Sequence, residues 1–128
     1  MSMLIEHMAI CPFCGQSMIV ESEGSMTGEE LAEEARGRCD CDYAKEWRMK
    51  RDAHAKILAL CGHESIEAGF DYEMTPDVLE ALQQTADALI GTCFRNAVVT
   101  TVGGDIVKFT REPSSVAVRR TSKKQLQM

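Results

Sequence analysis

The sequence predicts an α+β protein: an N-terminal four-cysteine zinc-binding motif, an antiparallel helical hairpin, and a C-terminal antiparallel β-hairpin or three-stranded sheet. Three observations predict it. Cys11-x-x-Cys14 and Cys39-x-Cys41 carry metal-ligand spacing. Residues 43–93 repeat apolar side chains at helical intervals. Residues 96–121 alternate β-branched runs with glycine and proline turns. The blocks fall at 1–42, 43–94 and 95–128 and are expected to pack as one compact domain.

In the first block, Met1 to Ile10 has no basic region and no long apolar run, so it does not read as a secretory signal, and no strand long enough to matter is expected there. Met18-Ile19-Val20 reads as a short strand within Ser17 to Glu23. Thr27-Gly28-Glu29-Glu30 reads as a capping box that starts a helix of about Glu29 to Arg36, ended near Gly37. In the second block Asp42 is the expected N-cap of a helix reaching Leu60, with Trp47, Met49, Ala53, Ile57 and Leu60 as its buried stripe. Thr75-Pro76-Asp77 starts the next helix, whose stripe is Leu79, Leu82, Ala86, Leu89, Ile90 and Cys93. In the third block Ala97 to Val102 and Ile106 to Arg111 flank a Gly103-Gly104-Asp105 turn. Glu112-Pro113-Ser114-Ser115 turns the chain into a third strand, Val116 to Thr121, and a polar tail follows.

The chain has 128 residues, of which 45% are hydrophobic and only 5% aromatic, so its core rests on aliphatic side chains. No stretch approaches the roughly 18 apolar residues that span a bilayer. A cytoplasmic address is expected, where six cysteines serve as thiols or metal ligands rather than disulfides.

The four clustered cysteines carry the clearest chemistry. A Cys-x-x-Cys turn sets two thiolates on one side of a tetrahedral ion, and the glycine after it, Gly15, lets the backbone turn beneath the metal. Cys39 and Cys41 can add two thiolates where the chain enters the next helix, whose N-terminus favours negative charge. Zn2+ is the expected ion; another metal or cluster, or bare thiols, are the lesser alternatives. A redox pair would open a helix in a βαβ context, which this sequence does not show. Cys61 and His63 have no further ligands nearby and read as a buried helix-end cysteine and an exposed histidine. Cys93 reads as core, and His54 as surface. The eight methionines read as core filler before any binding face.

No phosphate-binding loop, nucleophile elbow or His-Glu-x-x-His helix occurs, so a non-enzyme is expected. The run Cys11-Pro12-Phe13-Cys14-Gly15-Gln16, then an acidic helix, Cys39-x-Cys41, two helices and a hairpin ending in Arg119-Arg120-Thr121-Ser122-Lys123-Lys124, resembles small zinc-ribbon-like proteins of phages and prophages of Gram-positive bacteria. The resemblance implies a phage origin and Cys11, Cys14, Cys39 and Cys41 as zinc ligands. It implies no activity.

Charge suggests how such a protein works. Residues 1–94 hold seven basic and 18 acidic residues, a net −11; residues 95–128 hold seven basic and two acidic, a net +5. The expected function is contact with a host protein, in the manner of an inhibitor of a host defence nuclease such as an anti-CRISPR, through Glu29, Glu30, Glu33 and Glu34. The alternative is nucleic-acid binding through Arg111, Arg119, Arg120, Lys123 and Lys124, with Lys45, Arg48, Lys50 and Arg51 as a second patch. An isoelectric point near 5.0 counts against it. Ordinary solvated surfaces would give the same charge pattern. A homodimer through an exposed helix stripe is a further expectation.

Overall fold

A computed structural model of the chain describes residues 3–92 and 94–122. The fold is α+β, in two compact units, Met1–Arg48 and Met49–Met128, whose boundary falls inside a helix.

The first unit opens with β1 (Ile5–Ile10) and β2 (Ser17–Ser22), an antiparallel hairpin in which His7 faces Val20, Met8 faces Ile19 and Ala9 faces Met18. Because directly paired residues share a face, Ala9, Val20 and Met18 lie on one side and Met8 and Ile19 on the other. The first side packs under α1 (Gly28–Arg38), in a core of Ala9, Cys11, Val20, Ala35, Cys39 and Ala44. β1 corrects the expectation that no strand precedes Cys11. Its apolar residues sit on both faces, so it lacks the alternation that marks a half-buried strand.

The capping box at the start of α1 is present: the Glu30 amide donates to the Thr27 hydroxyl and the Thr27 amide to the Glu30 carboxylate, both at 3.2 Å. The helix does not stop at Gly37. Gly37 keeps a negative φ, and the turn ends at Cys39, whose amide still donates to the Ala35 carbonyl. Arg48 supplies the cap that a glycine would otherwise provide, its Nη1 donating to the carbonyls of Arg36 at 2.7 Å and Cys39 at 2.8 Å.

The helix α2 (Asp42–Cys61) carries the chain into the second unit. There its buried Ala53, Ile57 and Cys61 join Leu82, Ala86 and Leu89 of α3 (Pro76–Gly91). His54 Nε2 lies 2.7 Å from Asp87 Oδ1, and the Met74 amide donates to the Cys61 carbonyl, so the two helices run in opposite senses. His54 is therefore half-buried and paired, not the surface residue expected. Cys93 falls outside the described residues.

The sheet has the order β3 (Asn96–Thr100), β4 (Ile106–Arg111), β5 (Val116–Thr121), all antiparallel. Gly104 takes φ +92° in the first turn, where the Thr101 amide donates to the Asp105 carbonyl. One sheet face gives Val107, Phe109 and Val116 to the core of α2 and α3. The same core faces Arg120, whose guanidinium is buried. Its Nε and Nη2 lie 2.7 and 2.6 Å from Asp105 Oδ2, and its Nη1 donates to the Leu60 carbonyl at 2.8 Å. The rings of Phe70 and Tyr72 lie 4.3 and 4.9 Å from it. One cation thus ties together the end of α2, the connection to α3, the β3–β4 turn and β5. Arg120 is therefore not the surface phosphate-binding cation expected from the sequence; Asp105 and the two rings hold it inside.

No helix among the described residues is long and apolar enough to cross a membrane. Removing one partner of a buried ion pair typically costs about 3–5 kcal/mol, because the other charge is left without compensation. Asp105→Ala should therefore destabilise the second unit by about that much. Urea unfolding followed by circular dichroism checks it, and a change below about 1 kcal/mol, the range of exposed pairs, would show that Arg120 is not the hub described.

Candidate metal centre

The four cysteines converge within the first unit. Cys11 and Cys14 come from the loop that joins β1 to β2, and Cys39 and Cys41 from the link between α1 and α2. The loop is folded by its own backbone. The Gly15 amide donates to the Cys11 carbonyl and the Cys11 amide to the Gln16 carbonyl, both at 2.9 Å. Gly15 has φ +80°, a conformation that side chains with a Cβ rarely adopt, so the glycine does the work the sequence assigns to it.

On the other side, Cys41 is the first capping residue of α2. Its carbonyl accepts from Lys45, and its Sγ accepts from the Ala44 amide at 3.4 Å. This corrects the expectation that Asp42 caps the helix: Asp42 is already its first residue, and the sulfur takes the place of the usual cap oxygen. The exposed amides of the helix start favour a thiolate there.

The sulfur atoms all lie within 4.8 Å of one another, with Cys11 to Cys41 at 3.8 Å and Cys14 to Cys39 at 3.4 Å. A zinc–sulfur bond of about 2.3 Å sets tetrahedral sulfur–sulfur separations of about 3.8 Å. The donor set and its spacing fit a metal ion such as zinc. Cys11 and Cys39 are buried, Cys41 is half-buried and Cys14 is exposed. Gln16 also reaches the cluster, its Oε1 lying 3.7 Å from Cys39 Sγ.

The thiols press on one another. Burial pushes the Cys11 thiol up, but the amides of Cys14 and Phe13 and the neighbouring thiols outweigh it and bring it down to about 7. The Gln16 amide pulls Cys14 down, but the Cys39 thiol, burial and the other two cysteines push it up to about 12. Cys41 is pushed up by burial and by Cys39 and Cys11. The first thiolate forms readily and later ones are resisted, as in any cluster of like charges. A bound dication removes that repulsion, which makes the cluster a better metal site than a set of free thiols.

The other residues singled out from sequence do not form a second centre. Cys61 is fully buried, and burial raises its thiol pKa, while His63 is exposed. Of the acidic helix residues, Glu30 belongs to the capping box and Glu34 pairs with Arg38 at 3.0 Å, leaving Glu29 and Glu33 as its exposed acids without such tasks. Of the cations, Arg120 is buried and Arg48 caps α1, Arg111 bonds the Glu112 carbonyl, and Arg119 stays exposed. Lys45 is exposed, Lys50 and Arg51 are engaged, and Lys123 and Lys124 lie outside the described residues.

Sequence reasoning missed an exposed apolar set beside the centre: Met8, Ile10 and Ile19 on the hairpin, and Phe13 and Tyr43, whose rings lie 6.5 Å apart. The signal was present, since Met8 and Ile10 break the alternation of β1.

Titration of the metal-free protein with cobalt(II) should give the absorption of a tetrahedral thiolate site that saturates at a single equivalent. Cys41→Ser should weaken it. Because every ligand must be deprotonated, the affinity should fall as pH falls, and metal should be released on acidification below neutrality. An octahedral spectrum, or an affinity that does not change with pH, would rule out the four-thiolate site.

No protein-family model matches this chain, and no curated protein or solved structure is significantly similar to it.

Proposed function

We propose that this chain is a non-enzymatic binding protein whose N-terminal unit is held together by structural zinc and docks on another protein. Four thiolates around one ion leave no open position for water or substrate, which supports a structural rather than a catalytic metal. The observation that carries the docking reading is the solvent face of the β1–β2 hairpin. Met8 and Ile19 face each other across the strands with Ile10 beside them, at 65%, 55% and 55% exposure. Full burial of such a side chain is worth about 1.5–3 kcal/mol, so an exposed group of them marks an interaction site.

The same face carries Glu6 opposite Glu21, and residues 1–48 hold ten acidic against four basic side chains, a net −6. The matching partner is a protein with an apolar pocket bordered by basic side chains. A nucleic-acid channel has that chemistry, so inhibition of a host nuclease by a phage-encoded protein is the finer form of this reading. The acidic face of α1 contributes less than its composition suggests, because two of its four glutamates are engaged locally.

A second reading rests on the other unit. Lys108 and Arg119 face each other directly on the exposed side of β4 and β5. Like charges in that position repel, and a polyanion would relieve them.

Zinc-loaded protein immobilised in nuclease-treated lysate should retain a protein partner that salt weakens. The double variant Met8→Lys, Ile19→Lys should lose it while keeping its zinc. Capture that persists in the double variant would remove the hairpin from the interface. Capture that disappears after nuclease treatment would favour nucleic acid on Lys108 and Arg119.

A further inference from the structure

The outer edge of β3 has a property the rest of the fold does not use. Arg95, Ala97, Val99 and Thr101 direct their backbone groups toward β4, as the bonds from the Arg111 amide to the Arg95 carbonyl and from the Thr101 amide to the Asp105 carbonyl show. In an antiparallel ladder the intervening residues then direct theirs the other way. Asn96, Val98 and Thr100 therefore present amides and carbonyls to an edge of the three-stranded sheet that no strand among the described residues covers. Proteins usually blunt such an edge with charge, proline or a bulge. Here Asn96-Ala97-Val98-Val99-Thr100-Thr101-Val102 has no charged residue and no proline, and Val98 is 60% exposed. β5, at the opposite edge, carries Arg119 and Arg120.

A groove runs beside this edge between β3 and α3. It consists of two hollows of about 620 and 520 Å3 that share Ala81. The first is lined by Thr85 and Ala88 of α3, with Ala97 of β3. The second is lined by Glu73, Asp77 and Val78 on the helix side and by Val99 and Thr101 on the strand side.

The geometry points to a second copy of this chain as the occupant, with β3 pairing antiparallel to the partner's β3 about a two-fold axis at Val98. An outward residue must meet an outward residue for both hydrogen bonds to form. Centring the axis on Val98 satisfies this, because Val98 meets its own copy and Asn96 meets Thr100. The same register sets Ala97 against Val99, whose side chains turn toward the groove. It also sets Arg95 against Thr101, the residue that lines the hollow beside Glu73 and Asp77. Within its own sheet Arg95 stands opposite Arg111, a like-charge neighbour. Across the two-fold axis it gains two carboxylates. No like charges meet along the edge, and the charge match occurs twice by symmetry. On the helix side, Ala81, Thr85 and Ala88 are small enough to let the two α3 helices approach over the joined sheet. An extended peptide from another protein would satisfy the edge amides but would not by itself supply a partner for Arg95.

Sedimentation equilibrium of the zinc-loaded full chain across a dilution series tests this, together with hydrogen exchange at Val98. A dimer with a protected Val98 amide is expected. Val98→Pro should give a folded monomer, because the lost amide is the one facing outward, where proline is tolerated on an edge strand. Val98→Glu, which keeps the backbone intact and faces Lys108 within its own sheet, should also dissociate the pair by placing two anions at the axis. Arg95→Glu should raise the dissociation constant about tenfold or more, and Asp77→Arg in the same chain should recover much of the loss. A wild type that stays monomeric, a dimer that survives both Val98 variants, or a Val98 amide protected only when a foreign peptide is added would each overturn the proposal.

Discussion

Four sulfur atoms within 4.8 Å of one another are the constraint on which the account of the first unit turns. Its buried side chains are Ala9, Val20, Ala35 and Ala44 with Cys11 and Cys39, so Val20 is its largest buried aliphatic group. A two-stranded hairpin is marginal in water without further cover. The helix above it, α1, is largely polar, and only Ala35 of it is fully buried. Met18, Met26 and Leu31 add only partly buried surface to this core, so at about 0.8 kcal/mol per buried carbon the return is small against the cost of ordering such a chain. A metal bound by four thiolates can offset that cost, with apparent binding of about 10–16 kcal/mol in small zinc domains. The ion would join the β1–β2 loop to the α1–α2 link, the two points through which every element of this unit is connected.

The second unit is built on the opposite principle. Phe109, Ile57, Leu82, Leu89, Val107 and Val116 form an ordinary hydrophobic core. A costly feature among its described residues is the buried Arg120, compensated by Asp105, backbone carbonyls and two aromatic rings. Such a cation is poor evidence of extra stability, but it fixes which segments meet. The two units thus expose different surfaces: an apolar and acidic hairpin face in one, an uncharged sheet edge in the other.

Much of this was legible from local chemistry. Cysteine spacing gave the four cysteines that come together, Thr75-Pro76-Asp77 gave the start of α3, and glycine and proline turns gave the bounds of β4 and β5. What escaped was set by contacts distant in sequence. Arg120 reads as a surface cation until Asp105, Phe70 and Tyr72 are known to surround it. Gly37 reads as a helix stop until Arg48 is seen to cap the same carbonyls. β1 escaped for a different reason: Met8 and Ile10 face solvent, so the strand breaks the rule by which strands are read. Asp42 was one residue away from the true cap, because sulfur seldom fills that role. The first two failures mark ties between separate segments, the third an exposed apolar face, and the last an unusual cap atom.

The most direct test of the metal's role is residue-level hydrogen exchange on the full chain, with zinc bound and after removal by a strong chelator. Loss of protection across 5–41 with protection retained in α3 and β3 to β5 is the predicted result. Protection in β1, β2 and α1 that is unchanged without metal would contradict the account, because the first unit would then fold on its small core alone.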